Sequence, residues 1–184
     1  IAEDNLVVTH YVYENLGPVP LVGFDVFRID NGKIVEHWDN LIPLAEEPNQ
    51  SGRTQIDGET EITDLDKTAE NKALVQDFIT RVLINGEQVD FTQYVNPAEY
   101  YQHNPQVADG LDGLGAFLKQ LGEQNIAFYY TKTPIMVAEG NFVFAASEGV
   151  FGDKPTAYFD LFRLEDGLIV EHWDVIADMP SGDL

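Results

Sequence analysis

Apolar residues open the chain in three short runs, Leu6 to Tyr13, Leu21 to Ile29 and Lys33 to Ile42, whose alternation and β-branched content predict strands. Asn31-Gly32 between the last two predicts a hairpin. No helical spacing accompanies them. Residues 44 to 62 are polar, acidic and rich in turn formers, as a linker would be. Beyond it the period changes. Leu74, Val75, Phe78, Ile79, Val82 and Leu83 recur at helical spacing, with Thr63 and Asp66 placed to cap the start and Asn85-Gly86 to end the helix. Phe91 to Val95 reads as a short helical turn, and Leu114, Phe117, Leu118 and Leu121 mark a second helix after Asp112. Four strand-like runs close the chain: Ile126 to Ala138, Phe142 to Phe151, Thr156 to Leu164 and Leu168 to Ile176. Helices followed by an antiparallel meander predict an α+β domain whose sheet curls over its helices.

The segment Phe24-Asp-Val-Phe-Arg-Ile-Asp-Asn-Gly-Lys-Ile-Val-Glu-His-Trp-Asp39 recurs at 159–174 with eleven of sixteen positions identical and a constant offset of 135. This reads as a duplicated module. Residues 63–180 would be one complete copy, 44–62 the linker, and 1–43 the three-stranded tail of a first copy whose beginning is missing. Three strands with no covering helix leave an apolar face bare and are marginal alone. The face bearing Trp38 is therefore expected to pack on its counterpart around Trp173, by intrachain pairing of the two repeated sheets or in a homodimer.

Charge narrows the partners. Thirty-two acidic against ten basic residues give a formal charge of −22, which repels phosphate backbones and anionic lipid, so neither nucleic acid nor a membrane surface is expected as a partner. A small-molecule ligand is left. There is no cysteine, hence no disulfide, thiolate metal site or thiol nucleophile. No apolar run reaches the ~20 residues of a membrane span. The first residue is Ile1, without the basic and apolar stretches of a signal peptide, which points to processing or truncation. A soluble protein is expected, its compartment open.

In the last strand alternation puts His172 and Asp174 on one face and Glu171 and Trp173 on the other. A three-residue turn at Glu165-Asp166-Gly167 would set Asp160 opposite His172 and Tyr158 opposite Asp174, gathering two carboxylates, an imidazole and a phenol, with Arg163 near Glu171 behind them. A two-residue turn, equally open to Asp-Gly, would oppose Asp160 to Trp173. Such a His-x-Asp pair serves either as a satisfied polar pair or as acid–base machinery. Tyr100, Tyr101, Tyr129 and Tyr130 can line a pocket or simply pack, and His103, in a loop before a helix, can reach a cavity or satisfy the turn. No ligand spacing supports a metal.

Tyr101-Gln-His-Asn-Pro105, followed by Asp109-Gly110 and by the ending Phe159-Asp-Leu-Phe-Arg163 to Asp174, resembles the SnoaL-like polyketide cyclases of the nuclear transport factor two superfamily. The resemblance covers about 60 to 180, plus the tail. It implies a cone-shaped α+β fold, a curved sheet and helices enclosing a pocket, and no cofactor. It also implies acid–base work for Asp174 with His172, and a lesser role for His103; Asp160, Tyr158 and Tyr101 would contact the ligand. The implied chemistry is aldol condensation, cyclisation or enolisation of a small carbonyl compound. Alternatives are a small-molecule binding module without turnover and a structural or oligomerisation module, since this fold hosts many roles.

Overall fold

The protein is described by a computed structural model covering residues 1–180. Two sheets carry it. The first runs β1 (Ala2–Glu3), β2 (Leu6–Tyr13), β3 (Leu21–Asp30) and β4 (Lys33–Pro43), in that spatial order and antiparallel throughout. The second contains β5 (Tyr101–Gln102), β6 (Phe128–Glu139), β7 (Phe142–Phe151), β8 (Lys154–Glu165) and β9 (Leu168–Asp178), ordered β5-β9-β8-β7-β6. All its pairings are antiparallel except β5 with β9. Register shifts along β6 bend this sheet around helices α1 (Thr68–Phe78) and α2 (Gly110–Glu123). Val75, Phe78 and Ile79, with the flanking Leu111 and Leu114, bury against Tyr130, Val143, Ala145 and Phe162. The α+β cone expected from the pattern and the resemblance is the architecture observed.

Two local expectations change. Thr63 does not cap α1; its N–H donates to Asn141 Oδ1 and its carbonyl accepts from Asn141 N–H, tying the chain to the β6–β7 turn. The chain then reverses at Asp64, with φ 53°, and passes one tight turn before α1 starts at Thr68. The β8–β9 turn has two residues, Asp166 and Gly167, both with positive φ (49° and 76°), because that turn matches the strands' twist. A bulge follows: Leu164 pairs with Ile169 but Arg163 with Glu171, leaving Val170 extra. Asp160 therefore lies opposite Asp174, Phe162 opposite His172 and Tyr158 opposite Ile176. The β3–β4 hairpin repeats the device, with Val35 extra and Asp25 opposite Asp39.

The two sheets pack against each other. Val8, Phe24 and Val26 from the first bury against Phe144, Phe159, Trp173 and Val175 from the second, with Trp38 and Ile42 at the edge of the layer. Asn40 crosses the seam, donating to the carbonyls of Val175 (2.8 Å) and Ala157 (3.2 Å). Residues 44–62 lack regular structure yet hold to the second sheet as a strap. The Asn49 amide donates to the carbonyls of Gln102 and Val107, Arg53 pairs with Asp109, and Trp173 Nε1–H donates to the Asp57 carbonyl. Gly58 has φ +109°, and a Cβ there would lie 2.4 Å from Glu171 Oε1 and 2.5 Å from Trp173. Gly58→Ala should cost about 2–3 kcal/mol, read as a lower denaturant midpoint at unchanged slope.

Candidate active site

A cavity of about 420 Å³ opens between the curved sheet and the helices. Its walls are largely apolar: Phe78, Val82 and Leu83 from the first helical segment, Leu114, Phe117 and Leu118 from α2, and Phe128 and Phe162 from the sheet. Its polar floor comes from β5 and the loop after it, β8 and β9: Gln102, Asn104, Asp160, His172 and Asp174, with Tyr100 and Tyr130 beside them. Among the described residues no lysine or arginine lines it. Any anionic ligand would meet Asp160 and Asp174 with only the His172 imidazolium, already bonded to Asp160, to offset them.

Strand parity delivers the floor. The two-residue turn and the bulge each move the register by one, so His172 and Asp174 share the inner face with Asp160. Asp160 and Asp174 are direct cross-strand partners, an arrangement of like charges that is unfavourable unless something intervenes. His172 intervenes: its Nε2 lies 3.0 Å from Asp160 Oδ1, and its ring stacks on Phe162 at 4.8 Å. Tyr130 hydroxyl donates to the other Asp160 oxygen at 3.0 Å. Asn104 Nδ2 donates to both oxygens of Asp174 at 2.9 Å. Gln102 sets its amide against His172 Nδ1, Nε2 at 3.0 Å and Oε1 at 3.1 Å. Gln102 Nε2 also donates to Tyr100 Oη at 3.2 Å, and no acceptor for the Tyr100 hydroxyl hydrogen is found among the described residues.

Burial pushes the Asp174 carboxyl up; Asp160 adds to this, while His172 and the Asn104 hydrogen bond oppose it. Burial pulls the His172 imidazolium down, but its hydrogen bond to Asp160 and the charges of Asp174 and Asp160 win, leaving it raised. Desolvation and the nearby Asp160 hold the Tyr130 phenol well above its ordinary value, so it remains a donor. One side-chain nitrogen or oxygen of each of Asp160, His172 and Asp174 lies within 4.8 Å of the other two, so the three form one compact polar cluster.

Three of the residues singled out from the sequence stand elsewhere. His103, given a lesser role at the cavity by the resemblance, is buried on the opposite face of β9, because alternation along Gln102-His103-Asn104 turns the middle side chain outward. There it stacks on Trp173 at 4.6 Å, with Nε2 2.8 Å from Glu171 Oε1 and Nδ1 2.7 Å from the Thr54 carbonyl. Tyr101 lies outside the cavity too, under the Arg53 guanidinium at 3.9 Å and bonded to Glu99. Tyr158 is buried behind the wall, donating to the Val150 carbonyl at 2.8 Å and stacked on Tyr130. Their neighbours take the places at the cavity: Tyr100 for Tyr101 and Tyr130 for Tyr158. Gln102 and Asn104 belong to the motif that marked His103, and strand alternation would have selected them once β5 was recognised.

The first sheet carries the same triad. Asp25, His37 and Asp39 cluster within the same limit, His37 Nε2 bonded to Asp25 and its ring stacked on Phe27 at 4.8 Å. No helix covers it. The His37 side chain is 43% exposed where that of His172 is 11% exposed.

No protein-family model matches the chain, and no curated protein does. Among solved structures it is similar to a candidate polyketide cyclase from Bacillus cereus ATCC 10987 (20% identity, TM-score 0.47, covering 73% of this chain and 91% of that one). It is also similar to a candidate ketosteroid isomerase from Kribbella flavida DSM 17836 (13% identity, TM-score 0.46, 64% and 85%). A third is a protein of unknown function with a cystatin-like fold from Xanthomonas campestris (25% identity, TM-score 0.48, 59% and 91%).

Proposed function

We propose that the second sheet and its helices form an enolising site for a small, uncharged carbonyl compound, of the kind used in aldol condensation or cyclisation. The observation that carries this is a desolvated carboxylate, Asp174, on the floor of an apolar cavity beside a His172–Asp160 pair. A carboxylate raised by burial is a better base towards carbon, and a hydrogen flanked by carbonyls is acidic enough for it. Asp174 takes that proton. The charge developing on the carbonyl oxygen is met by the uncommitted Tyr100 hydroxyl and by the imidazolium form of His172, whose field reaches the same floor. His103 has no part, being on the far side of the strand.

Benzoylacetone in D₂O provides the test, with NMR following exchange of the hydrogen between its carbonyls. Protein-dependent exchange, lost when a non-exchanging analogue fills the cavity, supports the reading; exchange at the buffer rate at saturating ligand rejects it. A binding module without turnover is the second reading. It is favoured by one observation: both Asp174 oxygens and both Asp160 oxygens already accept hydrogen bonds. Saturable binding of benzoylacetone without exchange would select it.

A further inference from the structure

The short strand β5 reads β9 residue by residue. Its parallel pairing sets Gln102 beside His172, and the contacts continue in step: Gln102 with His172, His103 with Trp173, Asn104 with Asp174, each pair 70 positions apart. The backbone holds the register, His103 N–H donating to the His172 carbonyl at 2.9 Å. We infer that Gln102 and Asn104 are positioning residues that fix where the protons of His172 and Asp174 reside. This rests on the enolisation reading for its catalytic meaning, while its structural content stands independently.

Hydrogen-bond direction assigns both amides. Asn104 Oδ1 accepts from Gln106 N–H at 2.8 Å, so Nδ2 must face Asp174. Its hydrogen bond favours the ionised carboxylate, opposing the burial that would protonate it. Gln102 Oε1 accepts from Asn104 N–H at 3.1 Å, which directs Nε2 to Tyr100 and to His172 Nδ1. A neutral ring therefore accepts at Nδ1 and keeps its proton on Nε2, facing Asp160. When the ring gains a second proton, Nδ1–H finds Gln102 Oε1 at 3.1 Å without any group moving. Gln102 thus serves both charge states while the Nε2 proton stays in place. Asp109 Oδ1 accepts from Gln102 N–H, and Asn49 clamps the Gln102 carbonyl, so the strand that does this is itself anchored. Among the described residues the first sheet has no such edge strand beside β4, where His37 and Asp39 stand exposed.

The test is site-resolved titration by NMR, carboxyl carbon for Asp174 and ring nitrogen for His172. Asn104→Leu should move the Asp174 midpoint upward and slow benzoylacetone exchange near neutral pH by about tenfold, the worth of one hydrogen bond to a charged group. Gln102→Met should move the His172 midpoint downward, because the bond from the charged ring to Oε1, being charge-assisted, is worth more than the bond that the neutral ring accepts from Nε2. Asn104→Ser retains an oxygen for Gln106 N–H yet is too short for Asp174, and so replaces the leucine variant if that fails to fold. A purely structural role would lower the unfolding temperature and leave both midpoints where they were; that result overturns the inference. Midpoints that move in a protein that never exchanges benzoylacetone uphold the positioning role and remove the catalytic reading alone.

Discussion

Replacing Asp174 by asparagine should lower the rate of enolisation by about 10²-fold or more while the protein still folds. The substitution keeps the shape of the side chain and removes the base. It also removes one of two opposed carboxylates, so the repulsion between Asp160 and Asp174 disappears and the fold loses little. The Asn104 amide then faces another amide, whose oxygen still accepts one of its hydrogens. Deuterium exchange into benzoylacetone measures the rate, and thermal unfolding separates a chemical defect from a structural one. A variant as active as the parent would place the base elsewhere on the floor.

The pH profile follows from the same pair. Asp174 acts as a base only when ionised, and burial raises its pKa, so activity should climb with pH through a midpoint above the ordinary carboxylate range. His172 contributes as imidazolium, which its carboxylate neighbours stabilise, so activity should fall as pH passes its raised midpoint. The profile is a bell whose two midpoints belong to the coupled pair and not to either residue alone. Stability carries the opposite mark for Asp174: a carboxyl raised in the folded state binds its proton more tightly there, so its contribution is present at low pH and lost as pH rises through the folded midpoint. For His172 the raised value means stability present below the unfolded imidazole midpoint and lost as pH rises through the folded one.

Period and repetition, though not enough for the two-residue β1 and β5, were enough to locate the seven longer strands, both helices and the face shared by Asp160, His172 and Asp174, because parity survives errors that come in twos. A three-residue turn without a bulge and a two-residue turn with one place the same side chains on the same face. They differ in who meets whom, and Asp166-Gly167 suits either turn, while Val170 carries no mark of a bulge. The phenols were misplaced for a related reason. Tyr158 slides two positions away from Asp174 when the turn and the bulge are both counted, and Tyr130 arrives from β6, a strand whose register no local pattern fixes. His103 drew attention as the unusual residue of its loop, but β5 is only two residues long, too short for alternation to announce itself. The strap was hidden because Asn49, Arg53 and Gly58 act through partners 50 to more than 100 positions away.

On the outer face of β9, the loss of Glu171 should damage the fold severely. Its side chain is 2% exposed and joins two buried partners: Oε2 lies 2.6 Å from Arg163 Nε and Oε1 2.8 Å from His103 Nε2. Both partners need it. The Arg163 side chain is 6% exposed and that of His103 not exposed at all, so neither can turn to water when the carboxylate goes. Glu165 also pairs with Arg163, and Asp57 Oδ1 lies 2.9 Å from His103 Nδ1, but both carboxylates are half exposed and neither joins the two partners. Trp173 stacks on His103 and donates to the Asp57 carbonyl, and Gly58 packs against Glu171, Trp173 and His103, so the strap rests on the same group. Glu171→Ala should therefore cost about 3–5 kcal/mol, the usual penalty for leaving a buried charge without its partner. Glu171→Gln, which keeps the shape and one acceptor, should cost less. Denaturant unfolding measures both, and hydrogen exchange should show residues 44–62 losing protection in the alanine variant first. An alanine variant within about 1 kcal/mol of the parent would mean that Arg163 and His103 are solvated in the folded protein, contrary to their burial.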